Sequence, residues 1–247
     1  MKKSQKTMKI EKEKWHFFKE ISYAIVPFLI FVAVLLVSYF GNQLLYEWLD
    51  MKGTDYPKIP LDDEVPLIPW FVYFYYLTFP LGLVTFFYLA YKDKKALYNI
   101  FCTLCISFAI SGIIYFFAQT EFTKPAFEPD SFTDHLVVWT WGSTNPINCF
   151  PSQHCFMAFA TIIACCSGKN MNIFYRIFAI LSSIMIVLST VFIRQHFIMD
   201  IFASFDIMFA VYGIVYISKY GDKMAKKQEQ KQNEKMLKNI QQKLNNK

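Results

Sequence analysis

Two short stretches in the second half of the chain carry residues whose types and spacing suit phosphoryl chemistry. In "STVFIRQHFIMD" (Ser189–Asp200), His196 and Asp200 stand four apart, so a helix through both puts them on one face. A carboxylate bonded to one imidazole nitrogen fixes the tautomer and leaves the other nitrogen a better base or nucleophile. Arg194 adds a permanent cation with a planar fork of donors suited to phosphate. In "PSQH" (Pro151–His154), proline and a candidate N-cap, Ser152, open a helix whose unpaired N–H groups form an anion site beside Gln153 and His154. Each stretch has a plainer reading: a structural His–Asp pair, and a cap with an interfacial histidine. Together they hold a nucleophile, a general acid and cationic stabilisation of phosphate oxygens. Lys124 joins them if its loop folds back over both.

The elements that must position these residues are apolar. The chain has 247 residues, 55% hydrophobic and only 18% charged, against about 25% charged for a soluble domain. Apolar stretches of about 20 residues suffice to cross a ~30 Å hydrocarbon core. The expectation is an all-α polytopic bundle with six transmembrane helices, over Ile21–Leu45, Leu67–Tyr91, Ala96–Ala118, Pro151–Ser167, Ile173–Ile193 and Phe197–Ser218. A basic interfacial segment (1–20) with Trp15, Phe17 and Phe18 precedes the membrane domain (21–218), and a basic tail (219–247) follows it. The leader is too long, and the first span too long and without a small-residue cleavage site, for a signal peptide; it reads as a retained anchor.

Lys and Arg set the orientation. The leader, "KDKK" (Lys92–Lys95), "GKN" with Arg176, and the tail are basic and fall on one side of six spans. The other side receives the net-acidic segments Tyr46–Val65 and Gln119–Phe150. Both termini are therefore expected in the cytoplasm. The fourth span then starts, and the fifth ends, on the extracytoplasmic face, so His154 and His196 share one depth. The net charge of +6 reflects this asymmetry; it suits basic termini near anionic lipid and calls for no nucleic acid.

The long loop 119–150, rich in aromatics, reads as a packed interfacial element with lipid headgroups as its nearest candidate ligand. Asn148 is either a plain turn residue or one that orients the Ser152 turn. Cys102 and Cys105, and Cys165 and Cys166, read as small apolar residues within spans; Cys149 and Cys155 lie where they could approach one another. His135 lies in the loop with no recognisable metal set around it. Asp206, inside the last span, has no assigned role. In the tail, Met236, Ile240 and Leu244 recur every four residues, as in a solvated or membrane-surface helix, or one making a short helix–helix contact.

These residues resemble the type 2 phosphatidic acid phosphatase superfamily (lipid phosphatase and vanadium haloperoxidase-like), whose pattern is KxxxxxxRP, then PSGH, then SRxxxxxHxxxD. Pro151, Ser152 and His154 match the second motif, with Gln153 for its glycine; Ser189, His196 and Asp200 match the third in register. Thr190 stands where the third motif has Arg. The first is reduced to Thr123–Pro125, with Lys124 where its Arg and Phe117 where its Lys would be. Arg194, one turn along, is the candidate for the missing charge. "NPINCFPSQH" with "STVFIRQH" is similar to a divergent branch that includes bacterial members and is related to inositol-phosphoceramide synthases.

The resemblance implies a cell-membrane phosphatase, active on a lipid phosphate or diphosphate at the extracytoplasmic face, without metal or other cofactor. His196, oriented by Asp200, would form a phosphohistidine and His154 would protonate the leaving oxygen. Lys124, Arg194, Ser152 and Gln153 would hold the phosphate, with Asn148 and Thr190 in support. Three other readings stay open: a lipid headgroup phosphotransferase, a non-catalytic binding or transport relative, and an intramembrane serine protease with Ser152 as nucleophile.

Overall fold

The computed structural model describes residues 24–49, 53–56, 58–121, 123–142 and 147–245. The basic leader, with Trp15, Phe17 and Phe18, and the first residues of the first expected span lie outside them. The protein is helical. Its elements are α1 (Ala24–Trp48), β1 (Thr54–Asp55), α2 (Pro60–Glu64), α3 (Val72–Lys92) behind a 3₁₀ turn at Pro69–Phe71, α4 (Lys94–Phe117), β2 (Thr120–Glu121), α5 (Phe132–Gly142), α6 (Gln153–Ser167), α7 (Ile173–Phe192), α8 (Ile198–Ile217) and α9 (Tyr220–Asn245).

Five helices, α1, Pro69–Lys92 (α3 with its 3₁₀ turn), α4, α7 and α8, are long and apolar enough to cross a membrane. This is a multi-pass membrane protein. Such helices satisfy every backbone polar group internally, as hydrocarbon requires. The fourth expected span is α6, of 15 residues, roughly 22 Å long and shorter than the other five. It is the central helix: ten of its residues are buried, and Phe156, Ala160, Ala164 and Cys165 are closed off by α3, α4, α7 and α8. By contrast α7 turns Phe174, Phe178 and Leu181 outward, where lipid would cover them. A short helix in the middle and long ones around it leaves room above α6 for the connecting loops.

Small polar residues line the helix contacts. Thr85, Thr103, Ser111, Ser183 and Ser204 are all buried, and most return their hydroxyls to a carbonyl of the preceding turn. At Gly112 the α1 and α4 backbones meet: Asn42 donates to its carbonyl at 3.1 Å, and an added Cβ would lie 3.3 Å from the Ser38 Cα. Gly112→Leu is accordingly expected to cost about 1–3 kcal/mol by overpacking, read as a lower thermal midpoint in detergent.

Both ends are tied by side chains. At one end Asp93 caps α4 through Ala96 N and accepts from Lys169 N, joining the α3–α4 and α6–α7 turns. Gly221 N donates to Asn99 Oδ1, and Lys95 pairs with Asp222 at 2.8 Å, so the tail helix α9 begins docked on α4. The side chains of Met236, Ile240 and Leu244 lie outside the described residues. At the opposite end β1 and β2 pair in parallel, Thr54 with Thr120 and Asp55 with Glu121, and hold together the two long connections that follow α1 and α4. Part of the second connection is the helix α5, packed on α3 by Tyr76–Thr140 (2.6 Å) and on α7 by Trp141 Nε1 to the Ile193 carbonyl (2.8 Å).

Asp206 stands on the outward face of α8, exposed, opposite the buried stripe of Ser204, Met208 and Val211. All six cysteines are free thiols.

Candidate active site

His196 follows α7 in a tight turn. The Thr190 carbonyl accepts from both Gln195 N and His196 N, and Arg194 takes φ 54° to complete the turn. Asp200 lies on the first turn of α8, where its Oδ2 accepts from Phe197 N at 3.0 Å and so caps the helix. The same oxygen lies 3.0 Å from His196 Nδ1, and the Cys149 carbonyl lies 3.0 Å from that nitrogen too. Two acceptors on Nδ1 put the proton there and leave the lone pair on Nε2. The four-residue spacing thus yields the predicted pair, although His196 precedes the helix and only Asp200 is within it.

His154 lies on the first turn of α6, whose N-cap is Ser152, accepting from Cys155 N. Its ring stacks on Tyr75 at 4.0 Å and meets Phe79 edge-on at 5.6 Å, which fixes its plane. The two imidazole centroids are 6.2 Å apart. Both line one cavity of about 250 Å³, walled also by Leu35, Tyr39, Phe79, Lys124, Gln153 and Gln195.

Lys124 does fold back over the two clusters. Its Nζ donates to Gln195 Oε1 at 2.6 Å and to the Arg194 carbonyl at 3.2 Å, and it lies on the cavity wall. Burial pulls its ammonium down to about 7, only partly offset by Cys149 and Asp200. Burial, helped by the Asp200 charge, pushes the Cys149 thiol up to about 12, so it stays protonated.

The remaining expected contacts are distributed differently. The Arg194 guanidinium does not face the histidines: it donates to the carbonyls of Asp62 (2.7 Å) and Val65, and lines a separate surface pocket with Lys58 and Thr123. A positive φ turns its side chain away, and it fastens the α2 loop to the turn before α8. Ser152 is fully buried behind the cavity wall as a cap. Gln153 is on the wall, its amide shared between the hydroxyls of Ser38 and Ser111. Thr190 is buried, with its hydroxyl on the Val187 carbonyl, and supports His196 through its own carbonyl. Asn148, at φ 60°, is locked to Gln119 by two 2.8 Å bonds; what it orients is the adjoining Cys149 carbonyl that meets His196. Phe117 is 80% exposed, so the position of the first motif's Lys faces away from the site. His135 is exposed on α5.

Three site residues went unanticipated. Gln195 is hidden between two more conspicuous neighbours. Asp62, 1% exposed, holds the start of α8 by accepting from Ile198 N at 2.9 Å. Tyr56 donates to Asp200 Oδ1 at 2.5 Å. No spacing signal links the last two to the motifs, since each is more than 130 residues away. Among the described residues no three His, Cys, Asp or Glu side chains gather as a metal site would require.

No curated protein and no solved structure matches the chain. The family model of the PAP2 superfamily matches residues 100–223. The matched half runs from α4 to the start of α9 and contains both histidines, Asp200 and Lys124. The chain belongs to the PAP2 superfamily, a group composed generally of phosphatases.

Proposed function

We propose that the protein is a lipid phosphatase that hydrolyses a lipid phosphate or diphosphate, of the phosphatidate or polyprenyl diphosphate kind, through a phosphohistidine. The observation that carries this is His196: Nδ1 is held by Asp200 and the Cys149 carbonyl, and the ring lines a cavity shared with His154 and Lys124. In the first step the Nε2 lone pair attacks phosphorus, and the P–O bond to the lipid breaks as His154 gives its proton to the leaving oxygen. In the second step water attacks phosphorus, the P–Nε2 bond to His196 breaks as His154 takes the water's proton, and inorganic phosphate leaves. Lys124 neutralises phosphate charge, the α6 N-terminus adds donors, Gln153 adds one by exchanging its bond to Ser38 or Ser111 for the phosphate, and Arg194 holds the loop that frames the site.

The six-span reading, with α6 as the short fourth span and both termini cytoplasmic, rests on the same end-to-end asymmetry. The turns carrying Lys92, Lys94, Lys95 and Lys169 lie at the end opposite the histidines, and basic loops stay inside. The site then faces the extracytoplasmic side, with anionic lipid at the basic cytoplasmic end.

The test is phosphate release by the full-length protein in vesicles from a panel of lipid phosphates and diphosphates, with wild type compared to His154→Ala. Wild type is expected to release inorganic phosphate, and the variant to do so about 10²–10⁴ more slowly. Transfer of the headgroup to an added alcohol without free phosphate points to a phosphotransferase. Binding without turnover points to a non-catalytic relative.

A further inference from the structure

Tyr56 lies outside the family match and outside every motif, yet it reaches the centre of the site. Its hydroxyl donates to Asp200 Oδ1 at 2.5 Å, while Oδ2 takes His196 Nδ1 and Phe197 N. The Asp200 carboxylate, fully buried, therefore has one oxygen committed to the tyrosine and the other to the histidine and the helix start. The tyrosine ring is 6% exposed and stacks on Phe197 at 4.4 Å, the residue whose N–H Asp200 caps. Its backbone is fixed as well: Tyr56 N donates to the Glu121 carbonyl at 3.0 Å, directly after the β1–β2 pair. Lys124 follows β2 by three residues. One pair of two-residue strands thus sets both the tyrosine that touches Asp200 and the lysine on the cavity wall.

We propose that Tyr56 is a positioning residue of the nucleophile, acting through Asp200 to set how strongly the carboxylate holds the His196 Nδ1 proton. The proposal rests on the phosphatase reading for its kinetic part only. Burial first, then the charge and hydrogen bond of Asp200, raise the phenol well above its ordinary range, so Tyr56 is a donor and Asp200 purely an acceptor. A donor on Oδ1 draws carboxylate charge away from Oδ2. Attack by Nε2 makes the His196 ring cationic, and a carboxylate with one donor fewer would hold that cation more tightly. With Tyr56 in place the phosphohistidine is less stabilised and more readily hydrolysed; without it, the intermediate forms but lingers.

Tyr56→Phe keeps the ring, the stack on Phe197 and the backbone bond, and removes only the hydroxyl. The first measurement is rapid-quench kinetics on the full-length protein in vesicles with a ³²P-labelled lipid phosphate. The expected result is release of the lipid alcohol in the first turnover at the wild-type rate, dephosphorylation slowed about tenfold, and a larger steady-state fraction of phosphohistidine. A residue needed only for folding would depress both steps together, and that outcome overturns the proposal. The second measurement needs no turnover: ¹H–¹⁵N spectra of the histidine rings, with His196 assigned from His196→Gln. The His196 Nδ1–H proton is expected to move downfield in Tyr56→Phe, as a carboxylate with one donor fewer grips it more strongly; a resonance equal to wild type also overturns the proposal. If wild type releases nothing from any lipid, the phosphatase reading fails, and the ring spectra still decide the role of Tyr56.

Discussion

His196→Ala is expected to lower lipid-phosphate hydrolysis at least about 10³-fold in kcat, with no phosphoenzyme detectable in a quench of labelled substrate. The reason is the division of labour between two rings in one cavity. His196 has its Nδ1 taken by Asp200 and the Cys149 carbonyl, so only Nε2 can attack. His154 is held by aromatic faces, Tyr75 below and Phe79 at the edge, an arrangement that fixes a ring without assigning it a carboxylate. A nucleophile cannot be replaced by a better substrate, whereas an acid can. An aryl phosphate, whose leaving oxygen needs no proton, should therefore restore much of the first-turnover burst of aryl alcohol to His154→Ala, with dephosphorylation still slow, and none to His196→Ala. Equal rescue of both variants would show that the two roles are wrongly divided. Asp200→Asn should resemble His196→Ala more than His154→Ala. It substitutes a donor for an acceptor where Tyr56, Phe197 N and His196 Nδ1 converge, and leaves the ring in the wrong tautomer.

The long apolar helices were legible because hydrocarbon imposes one rule on every spanning segment, length and apolarity, and α1, α3, α4, α7 and α8 obey it. The short central α6 strains that rule: its neighbours, rather than lipid, surround it, so its length is set by packing. Within the site, local spacing carried furthest. A four-residue interval placed Asp200 beside His196, and a Ser-containing tetrapeptide before an apolar run placed the cap at Ser152. Chain position alone misdirected the reading at Arg194. One turn of helix beyond Thr190 would put its charge where the third motif's Arg is missing, but α7 has already ended there, and a left-handed residue sends the side chain to the Asp62 and Val65 carbonyls. Tyr56 and Asp62 were invisible for a different reason: their partners are reached through the β1–β2 pairing of two loops, and loop pairing leaves no periodicity to read.

Lys124 gives the prediction with the clearest pH signature. Its ammonium is drawn down to about 7 by burial, so in the empty site it is charged below that pH and loses its proton as pH rises through it. If it binds the substrate phosphate, kcat/KM, which reports the free protein, should fall above about pH 7. A bound phosphate dianion favours the charged lysine, so the corresponding limb of kcat should lie at higher pH. Lys124→Met is expected to lose about 10–100-fold in kcat/KM at pH 6, the worth of one charge-assisted hydrogen bond, and to lose the basic limb. Lys124→Arg, with a charge that does not titrate in this range, should shift the limb out of the window even where its altered reach to Gln195 Oε1 lowers the rate. Stability should run the other way. Between about 7 and the ordinary lysine range the unfolded chain binds a proton at this position that the folded chain does not, so folding gains as pH rises through that window. A wild-type protein that becomes more heat-resistant while its kcat/KM declines, with both trends absent in Lys124→Met, would identify the buried lysine as the source of each. Profiles unchanged in both variants would remove Lys124 from the phosphate site and leave Gln153 and the α6 N-terminus to hold the anion.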